Sequence, residues 1–256
     1  MSTFTGKSVV VTGATSGIGR AAALDFASRG ANVTLVGRSE QALREIPTLV
    51  SDATGRMMSC VGDVTEDGMP ERIVSTAVEA FGGIDVLVNA AGVIATGTLE
   101  TTSDAVWDQM NNVNVRAPFR LMRAAAPHLK ARKGSVVNVS SVNGLRAFAG
   151  VLAYNVSKAA MDHLTRCAAL EMAPFGVRVN CVNPGVTVTN LHRRGGMNDT
   201  QYAAILDRAK ETHPLGRPGQ PEDVAAMIVF LASGEASWMT GETIPVDGGR
   251  HLTCLR

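Results

Sequence analysis

The sequence predicts an α/β fold in which helices cover both faces of a seven-stranded parallel sheet. Two observations support this prediction. Seven short runs rich in β-branched residues alternate with longer helical stretches, which is typical of right-handed βαβ units in a doubly wound sheet. Several of these runs are almost continuously apolar, as strands are when both faces of a sheet are buried. The 256 residues contain no internal repeat, linker or low-complexity segment, so we expect a single domain over residues 1–256.

The individual elements follow from local composition. The predicted strands are Ser8–Thr12, Asn32–Val36, Met57–Val61, Ile84–Asn89, Ser135–Val139, Val177–Val182 and Thr243–Val246. The predicted helices are Ile18–Arg29, Glu40–Ser51, Pro70–Phe81, Asp104–Ala131, Leu152–Pro174 and Pro221–Ser233. Gly30, Gly82 and Gly176 each follow a predicted helix, where a left-handed cap favours glycine.

One segment, Asn190–Gln220, breaks the alternation and contains a single short helical piece around Tyr202–Lys210. Long insertions in compact domains are usually lids or binding loops. This one follows the sixth strand, at the sheet edge where open α/β sheets bind ligands. We therefore expect residues 190–220 to form a loop that covers a substrate.

Composition excludes several classes of function. The formal charge is 24 − 23 = +1, so there is no field of one sign to hold nucleic acid or an anionic membrane surface. No apolar run reaches the roughly 18 residues that a membrane-spanning helix needs, and Met1–Lys7 lacks the layout of a signal peptide. We expect a soluble cytoplasmic protein that binds a small molecule.

The cysteines give no sign of a metal site. Cys60, Cys167, Cys181 and Cys254 are scattered and form no CxxC pair, whereas zinc or a redox dithiol needs close spacing. The sequence therefore predicts no metal and reduced thiols.

A glycine-rich loop joins the first strand to the first helix. Within Thr12–Gly19, the spacing is Gly-x-x-x-Gly-x-Gly rather than the commoner Gly-x-Gly-x-x-Gly. Three glycines here could form only a tight turn, but a strand-to-helix turn also lets backbone N–H groups approach a pyrophosphate at a helix N-terminus. We therefore predict nucleotide contacts from this loop. The residues are Gly13, Thr15, Ser16, Gly17, Ile18 and Gly19.

The ends of the next two strands bear on the choice of nucleotide. Gly37-Arg38 follows the second strand, where NAD-binding proteins carry an acidic residue. Arg38 can instead pair with a 2′-phosphate, or be only a solvated side chain. Asp63 ends the third strand and could accept a hydrogen bond from the adenine amino group, or cap the following helix.

A tyrosine–lysine pair is the strongest candidate for chemistry. Tyr154 and Lys158 are four residues apart at the start of a helical stretch, so their side chains share a face. A nearby ammonium favours the phenolate and lowers the pKa of a tyrosine. The alternative is a half-buried tyrosine beside a solvated lysine. Ser140 and Ser141 favour catalysis because they close the fifth strand at the same sheet edge. Without a Gly-x-Ser-x-Gly elbow, a hydrolase nucleophile is not expected.

Together these motifs resemble the short-chain dehydrogenase/reductase family along nearly the whole chain. The matching pieces are Thr12–Gly19, Asp63, Asn89–Gly92, Asn114, Ser141, Tyr154, Lys158, Asn183–Gly185 and the ending Pro245–Gly249. Ser141 rather than Ser140 fits the family's catalytic serine, which lies thirteen residues before the tyrosine, and Asn114 occupies the place of its catalytic asparagine. The resemblance implies a single-domain Rossmann fold.

The resemblance also implies a mechanism. Ser141 would position a carbonyl or alcohol, Tyr154 would donate or accept the proton, and Lys158 would lower the pKa of Tyr154 and bind the nicotinamide ribose. Asn114 would hold a water that extends a proton relay towards Lys158. The implied cofactor is NADP(H), because of Arg38, with NAD(H) as the alternative.

The resemblance also implies a wider set of cofactor contacts, which includes Asp63 again. They are Asp63, Val64, Asn89, Ala90, Gly92, Tyr154, Lys158, Pro184, Gly185, Thr187 and Thr189. Two positions depart from the family pattern. Ala90 stands where a second asparagine is usual, and Thr187 stands where an apolar residue is commoner.

The substrate is less defined than the chemistry. Leu215–Pro218 and the Asp-Gly-Gly ending resemble the 3-oxoacyl-carrier-protein reductase-like branch, which suggests a carbonyl substrate such as a 3-oxoacyl thioester. Arg193 and Arg194 could contact an anionic substrate or be only solvated. The alternatives are an NAD-dependent sugar or polyol dehydrogenase and, from another class, a non-catalytic dinucleotide-sensing protein.

The family resemblance implies a homotetramer. The long predicted helices Asp104–Ala131 and Leu152–Pro174 carry more apolar positions than one covering face needs. These positions are Val106, Met110, Phe119, Met122, Ala160, Leu164 and Ala168. The other interpretation is ordinary packing within one subunit.

Overall fold

The structure is a computed structural model that describes residues 4–50 and 55–253. Its seven strands form one parallel sheet in the order β3-β2-β1-β4-β5-β6-β7. They are β1 (Ser8–Thr12), β2 (Asn32–Gly37), β3 (Met57–Val61), β4 (Val86–Asn89), β5 (Ser135–Val139), β6 (Arg178–Pro184) and β7 (Thr243–Val246). All seven predicted strands are present, with small differences at their ends.

The helices connect successive strands. They are α1 (Gly17–Ser28), α2 (Glu40–Glu45), α3 (Met69–Phe81), α4 (Asp104–Asn111), α5 (Ala117–Arg132), α6 (Val142–Leu145), α7 (Leu152–Met172), α8 (Leu191–Arg194), α9 (Asp199–Thr212) and α10 (Pro221–Ala232). Gly30, Gly82 and Gly176 have φ of 86°, 75° and 74°, which confirms the predicted left-handed caps. The predicted helix end at Ser51, and Cys254, lie outside the described residues.

Two apolar clusters lie on opposite faces of the sheet. One contains Phe26 of α1 and Ile228 of α10, and the other contains Ile73 of α3 and Leu121 of α5. Helices on both faces therefore bury the apolar strands, as the continuous Val-rich runs predict. This arrangement confirms the doubly wound Rossmann fold.

The sheet topology determines where a ligand can bind. Strand order reverses between β1 and β4, which pair in parallel with Thr12 opposite Asn89. Because the connections from these two strands run to opposite faces, a crevice opens beyond their carboxyl ends. The residues that follow β1, β4, β5 and β6 are therefore brought to one edge.

The predicted single helix Asp104–Ala131 is wrong in its middle. Between α4 and α5, Asn112–Arg116 forms a π-helical segment. Pro118, in the first turn of α5, has no N–H to donate to the carbonyl of Asn114 four residues earlier. The regular α-helical ladder is therefore interrupted at Asn114, as often happens in π segments near functional sites.

Prolines also explain why two other predicted helices end earlier in the structure than the sequence predicts. The predicted helix Glu40–Ser51 becomes a 3-10 turn at Ile46–Leu49, since Pro47 cannot donate to the carbonyl of Leu43. The predicted helix Leu152–Pro174 ends at Met172 and continues as a 3-10 turn, Ala173–Phe175.

The segment from Asn190 to Gln220 is more helical than predicted. It contains α8 and the whole of α9, Asp199–Thr212, rather than one short piece at Tyr202–Lys210. A capping box begins α9: the Asn198 side chain accepts from the Gln201 N–H at 2.9 Å, and the Gln201 side chain accepts from the Asn198 N–H at 3.0 Å. The Asn-x-x-Gln spacing is the signal for this helix start.

Candidate active site

A cavity of about 510 Å³ opens at the carboxyl edge of the sheet. It is lined by eighteen of the twenty residues predicted for the site. These are Gly13, Thr15, Ser16, Gly17, Ile18, Gly19, Arg38, Asp63, Val64, Ala90, Gly92, Ser141, Tyr154, Lys158, Pro184, Gly185, Thr187 and Thr189. The two exceptions, Asn89 and Asn114, are buried behind the cavity wall.

The glycine loop brings backbone close to backbone. Gly13 has φ of 68°, and a Cβ there would lie 2.9 Å from the backbone nitrogen of Ala91. A Cβ on Gly19 would lie 2.5 Å from the carbonyl oxygen of Gly13. Only glycine fits such approaches. Helix α1 begins at Gly17, and the side chain of its N-cap, Ser16, makes no capping hydrogen bond. The loop and helix N-terminus thus form a cradle suited to a pyrophosphate.

Thr12 joins this loop to the end of β4. Its hydroxyl accepts from the N–H groups of Ala90 and Ala91 at 3.0 Å and 3.1 Å. Asn89 does not line the cavity, and its amide donates to Asn138 Oδ1 at 2.8 Å. Its role in the structure is therefore to join adjacent strands, while Ala90 borders the cavity.

The other end of the cavity carries a charge pair. Arg38 Nη1 lies 3.6 Å from Asp63 Oδ2, and the Arg38 side chain is 65% exposed. Asp63 accepts hydrogen bonds from the N–H and hydroxyl of Thr65 at 3.0 Å and 2.7 Å. Burial opposes ionisation of Asp63, but the Thr65 bonds and Arg38 together lower its pKa. The N-cap of α3 is Gly68, so the alternative that Asp63 caps this helix is wrong.

Ser141, Tyr154 and Lys158 meet at the inner end of the cavity, each at least nine-tenths buried. The Ser141 hydroxyl is close enough to the phenol of Tyr154 to lower its pKa. Lys158 Nζ lies 5.6 Å from the centre of the Tyr154 ring and donates to the Val139 carbonyl at 2.9 Å. The four-residue spacing on α7 and the end of β5 bring the three side chains together, and neither the tyrosine nor the lysine is solvated.

Burial favours the uncharged form of both titratable groups. Burial raises the pKa of Tyr154 to about 12, although the nearby Ser141 hydroxyl acts in the opposite direction. Burial lowers the pKa of Lys158 to about 8, opposed by the nearby carboxyl group of Asp162. Tyr154 is thus protonated at neutral pH. The pKa of Lys158 is unusually close to neutral pH for a lysine.

Asn114 lies in the π-helical segment behind this cluster. Its side chain accepts from the Val93 N–H and donates to the Val93 carbonyl, both at 3.0 Å, and also donates to Ser157 Oγ at 3.0 Å. A Cβ on Gly92 would lie 3.4 Å from Asn114 Oδ1 and 3.7 Å from Lys158 Nζ. Asn114 therefore fixes the Gly92–Val93 wall next to Lys158 rather than lining the cavity itself.

The segment after β6 forms the opposite wall. Thr187 Oγ1 donates to the Gly185 carbonyl at 3.1 Å, and Thr189 Oγ1 accepts from the Leu191 N–H at 3.3 Å. The N–H of Val186 donates to Nε2 of His213 at 3.1 Å. His213 is buried, and burial lowers its pKa, which suits a neutral acceptor. No local sequence pattern marks His213, since it lies 27 residues from its partner.

The two arginines of α8 have different environments. Arg194 lines the cavity, as does His192. Arg193 instead pairs with Asp199 at 2.8 Å and lies over the Tyr202 ring at 4.0 Å from its centre. Of the two candidates for an anionic substrate, only Arg194 is in position.

Sequence reasoning missed Asn143, Phe148 and Arg250, which also line the cavity. Asn143 follows Ser141 by two residues on α6, a short helix that has no periodic signal. Arg250 follows the Asp-Gly-Gly ending and lies with its guanidinium 4.9 Å from the centre of the Phe148 ring. Their side chains meet the site through tertiary packing, which single-sequence patterns do not report.

Known proteins share both the sequence and this architecture. Residues 13–251 match the family described as enoyl-(acyl carrier protein) reductase. The chain is 40% identical over 247 residues to an uncharacterized oxidoreductase of Thermotoga maritima, covering 96% of this chain and 98% of that protein.

Solved structures of similar proteins have the same fold. A short-chain dehydrogenase/reductase of unknown function from Caenorhabditis elegans, crystallised with cofactor, is 37% identical with a TM-score of 0.91, covering 98% of this chain and 97% of that one. L-Sorbose reductase from Gluconobacter frateurii, complexed with NADPH and L-sorbose, is 32% identical with a TM-score of 0.90, covering 98% of each chain. The full-length match in sequence and structure shows that this protein belongs to the short-chain dehydrogenase/reductase family of oxidoreductases.

Proposed function

We propose that the protein interconverts a carbonyl compound and a secondary alcohol with NADP(H), using Tyr154 as the proton donor and acceptor. The observation that carries this proposal is the buried cluster of Ser141, Tyr154 and Lys158 in the same cavity as the glycine loop. A general acid, an adjacent cation and a hydrogen-bonding hydroxyl are the groups that a carbonyl reduction needs.

The cavity suits a dinucleotide. The close backbone approaches at Gly13 and Gly19 leave the cradle open where side chains would fill it, and α1 presents its N-terminus there. Ala90, Gly92 and the wall from Pro184 to Thr189 would hold the nicotinamide end. When bound, the cofactor supplies or accepts a hydride at its nicotinamide.

In reduction, the protonated Tyr154 donates its hydroxyl proton to the substrate oxygen while Ser141 holds that oxygen in place. Lys158 stabilises the resulting phenolate by its positive charge. The proton is then replaced from solvent. We propose that the Asn114 carbonyl, which Pro118 leaves without its α-helical donor, holds a water on the route to Lys158.

The preference for NADP(H) rests on Arg38. The end of β2 carries no carboxylate to accept from the ribose hydroxyls, and Arg38 is free to turn from Asp63, because an exposed pair at 3.6 Å is weak. A 2′-phosphate would offer Arg38 a stronger, charge-assisted partner.

The substrate end of the cavity mixes apolar and basic side chains. Ile94, Phe148 and Leu191 line it together with Arg194 and Arg250. This mixture favours a carbonyl carried on an apolar chain with an anionic group, such as a 3-oxoacyl thioester on a carrier. The second candidate is a sugar or polyol, favoured by the similarity to L-sorbose reductase. In either case we propose that residues 190–220 cover the substrate.

We also propose that the protein is a homotetramer. Trp107, Phe119 and Val156, on α4, α5 and α7, are exposed large apolar side chains, and Leu170 on α7 is 79% exposed. Exposed apolar residues on neighbouring long helices are typical of subunit interfaces. Met110 and Met122, by contrast, are buried within the subunit. These two of the extra apolar positions therefore belong to the hydrophobic core of one subunit.

The first experiment is a fluorescence titration of the purified protein with NADPH and NADH in parallel, followed by turnover assays on a panel of ketones, sugars and acyl thioesters. We expect tighter binding of NADPH and turnover of at least one ketone. Tighter binding of NADH would favour the sugar or polyol dehydrogenase. Cofactor binding without any turnover would favour the non-catalytic sensor, and no binding would contradict the proposal.

A further inference from the structure

A buried arginine lines the substrate end of the cavity. Arg250 lies in a 3-10 turn after β7, Arg250–Leu252, and only 7% of its surface is exposed. It nevertheless borders the cavity that contains Tyr154 and Lys158. Burying a positive charge costs free energy, and the attraction between opposite charges is stronger at a buried site than in water. Arg250 is therefore a candidate for binding an anionic ligand.

The turn that carries Arg250 is fixed by its own neighbours. Gly249, with φ of 85°, precedes it. Asp247 Oδ1 accepts from the Gly249 N–H at 3.0 Å, and Asp247 Oδ2 accepts from the His251 N–H at 2.6 Å. Arg250 Nη1 donates to Thr253 Oγ1 at 3.1 Å. These bonds orient the guanidinium before a ligand arrives, which lowers the entropy cost of binding.

The Phe148 ring links Arg250 to the surroundings of Tyr154. The carbon atom of the Arg250 guanidinium lies 4.9 Å from the centre of this ring, within the range of a cation–π contact. The Phe148 carbonyl accepts from the side-chain amide of Asn155 at 2.7 Å, and Asn155 follows Tyr154 on α7. Because Tyr154 and Arg250 border one cavity of about 510 Å³, a small substrate with its carbonyl at Tyr154 can present a second group to Arg250.

Charge is unevenly distributed along the cavity. Among the described residues that line it, the single carboxylate is that of Asp63, which lies beside Arg38. Lys158, Arg194 and Arg250 lie towards the other edge of the sheet, where β5, β6 and β7 end. The described lining of the substrate end therefore combines three basic side chains with no carboxylate, and such a surface attracts anions.

The two arginines of this end differ in burial, and the difference distinguishes two kinds of anionic substrate. Arg194 is exposed on α8, so it suits an anion that stays outside the cavity, such as the phosphate of a carrier's arm. Arg250 is buried, so its anion must enter the cavity as part of the substrate itself. A carboxylate fits this requirement, because the planar guanidinium binds it through charge-assisted hydrogen bonds.

We propose that Arg250 binds a carboxylate of the substrate, and that the substrate is a free oxo acid whose ketone lies at Tyr154. This rests on the proposed function and narrows its anionic substrate from a carrier-bound thioester to a free acid. Ser141 keeps its role of holding the ketone oxygen. Phe148 and Ile94, which line the cavity, provide an apolar surface for the carbon chain.

The test compares a series of oxohexanoates, in which the ketone lies at successive carbons, with their methyl esters. Each ester keeps the ketone and the chain but has no negative charge. With NADPH, kcat/KM of the unsubstituted protein for the best acid should exceed that for its ester by about ten- to hundredfold, since this is what a hydrogen bond between charged groups contributes. An ester reduced as well as its acid, in every pair, would overturn the proposal without any variant.

Variants show whether Arg250 causes the preference. Arg250→Met keeps a long apolar side chain against Phe148, and the acid-to-ester ratio of kcat/KM should fall by about tenfold or more, through KM for the acid. Arg250→Lys keeps the charge and should retain part of the ratio. Equal losses on acid and ester in Arg250→Met would show a structural role only. A larger fall of the ratio in Arg194→Met would place the anion at the cavity mouth. Both results would overturn the proposal.

Arg193→Met is the matched control. Arg193 also lies over an aromatic ring, at 4.0 Å from the centre of Tyr202, but it does not line the cavity. The acid-to-ester ratio should stay within about twofold in this variant. A fall as large as that in Arg250→Met would mean that the loss of any arginine near the site lowers the ratio, which would contradict a specific carboxylate site.

A binding readout keeps this inference separate from the proposed function. Calorimetric titration of the protein–NADPH complex should detect hexanoate more readily than methyl hexanoate, and Arg250→Met should weaken hexanoate binding by about tenfold or more. Equal affinity for the two compounds would overturn the proposal. If hexanoate binds through Arg250 but no ketone is reduced, the proposed function fails while the carboxylate site stands. If neutral ketones are reduced and hexanoate does not bind, the proposed function stands while this inference fails.

Discussion

Lys158 carries an ammonium group at a buried position, and burial disfavours its positive charge. It is at least nine-tenths buried and donates a hydrogen bond to the Val139 carbonyl. Burial lowers its pKa from 10.5 to about 8, so keeping it protonated at neutral pH costs folding free energy. Active sites often retain such strained groups because the chemistry needs them.

Lys158→Met should therefore stabilise the protein while abolishing turnover. Each pKa unit is worth about 1.4 kcal/mol, and part of that gain offsets the lost Val139 bond, so we expect the free energy of unfolding at pH 7 to rise by about 1 to 3 kcal/mol. The unfolded chain binds more protons than the folded protein between pH 8 and 10.5, so stability of the unsubstituted protein should rise with pH across this window.

Urea unfolding at pH 7 and pH 9.5 measures both effects. The gain from Lys158→Met should be smaller at the higher pH, where Lys158 is largely neutral. Lys210→Met, at an exposed residue of α9, serves as the control and should leave the stability nearly unchanged. Equal stabilities of the Lys158 variant and the unsubstituted protein at pH 7 would show that the buried ammonium is not costly.

Arg38→Asp should reverse the cofactor preference. A carboxylate at this position accepts from ribose hydroxyls and repels a 2′-phosphate, so we expect the ratio of NADPH to NADH affinity to fall by about tenfold or more. Stability should hardly change, because the pair with Asp63 is exposed. Parallel titrations with both nucleotides provide the measurement, and an unchanged ratio would mean that another residue recognises the phosphate.

At the scale of single residues, the sequence predicted which residues line the cavity better than it predicted the hydrogen bonds that hold those residues in place. Eighteen predicted residues line one cavity, because motifs at strand ends fall on the same edge of a parallel sheet. Asn89 was predicted as a cofactor contact, yet it bonds to Asn138 across the sheet. Asn143 and His213 were missed because their contacts depend on packing between distant elements.

At the scale of elements, the interrupted helix between α4 and α5 matters most for the site. Pro118 leaves the Asn114 carbonyl without its α-helical donor, and Asn114 supports the wall at Val93. The hydrophobic pattern of Asp104–Ala131 predicted one continuous helix, because apolar positions such as Met110, Ala117 and Leu121 keep helical spacing along the sequence. Pro118 was the available signal, but a proline near a helix start is also common.

Pro118→Ala restores the missing N–H and should allow a regular α-helix through Asn114. We expect Asn114 to lose its bonds to Val93 and turnover to fall by about tenfold, with NADPH affinity nearly unchanged. A crystal structure of the variant, together with kcat for the best ketone, would check this. An intact π segment with unchanged Asn114 bonds would show that packing of α7, rather than proline, maintains it.

At the scale of the whole molecule, the fold class follows from the alternation of strands and helices along the sequence. All seven strands occur where Val-rich runs predicted them, and the sheet order brings β1 and β4 side by side. Helix ends and the interior of Asn190–Gln220 could not be predicted as well, because they depend on caps and on prolines that override periodicity. In the described part of the chain, no helix is long and apolar enough to cross a membrane.

Assembly is the property of the whole molecule that can be tested most simply. Phe119 is 44% exposed on α5, and Phe119→Glu would place a charge in the proposed subunit interface. We expect sedimentation to change from a tetramer to smaller species. Leu49→Glu, at an exposed residue after α2, is the matched control and should remain tetrameric. A monomeric unsubstituted protein would contradict the proposed tetramer.

The central claim is that Tyr154 transfers the proton while the remaining cavity binds the cofactor. The most direct test compares NADPH oxidation by the unsubstituted protein and by Tyr154→Phe on the same ketone, with NADPH binding measured on the same samples. We predict a loss of turnover by at least about 10² to 10⁴-fold, the usual contribution of a general acid, with NADPH affinity within about twofold. Full activity in Tyr154→Phe would contradict the account.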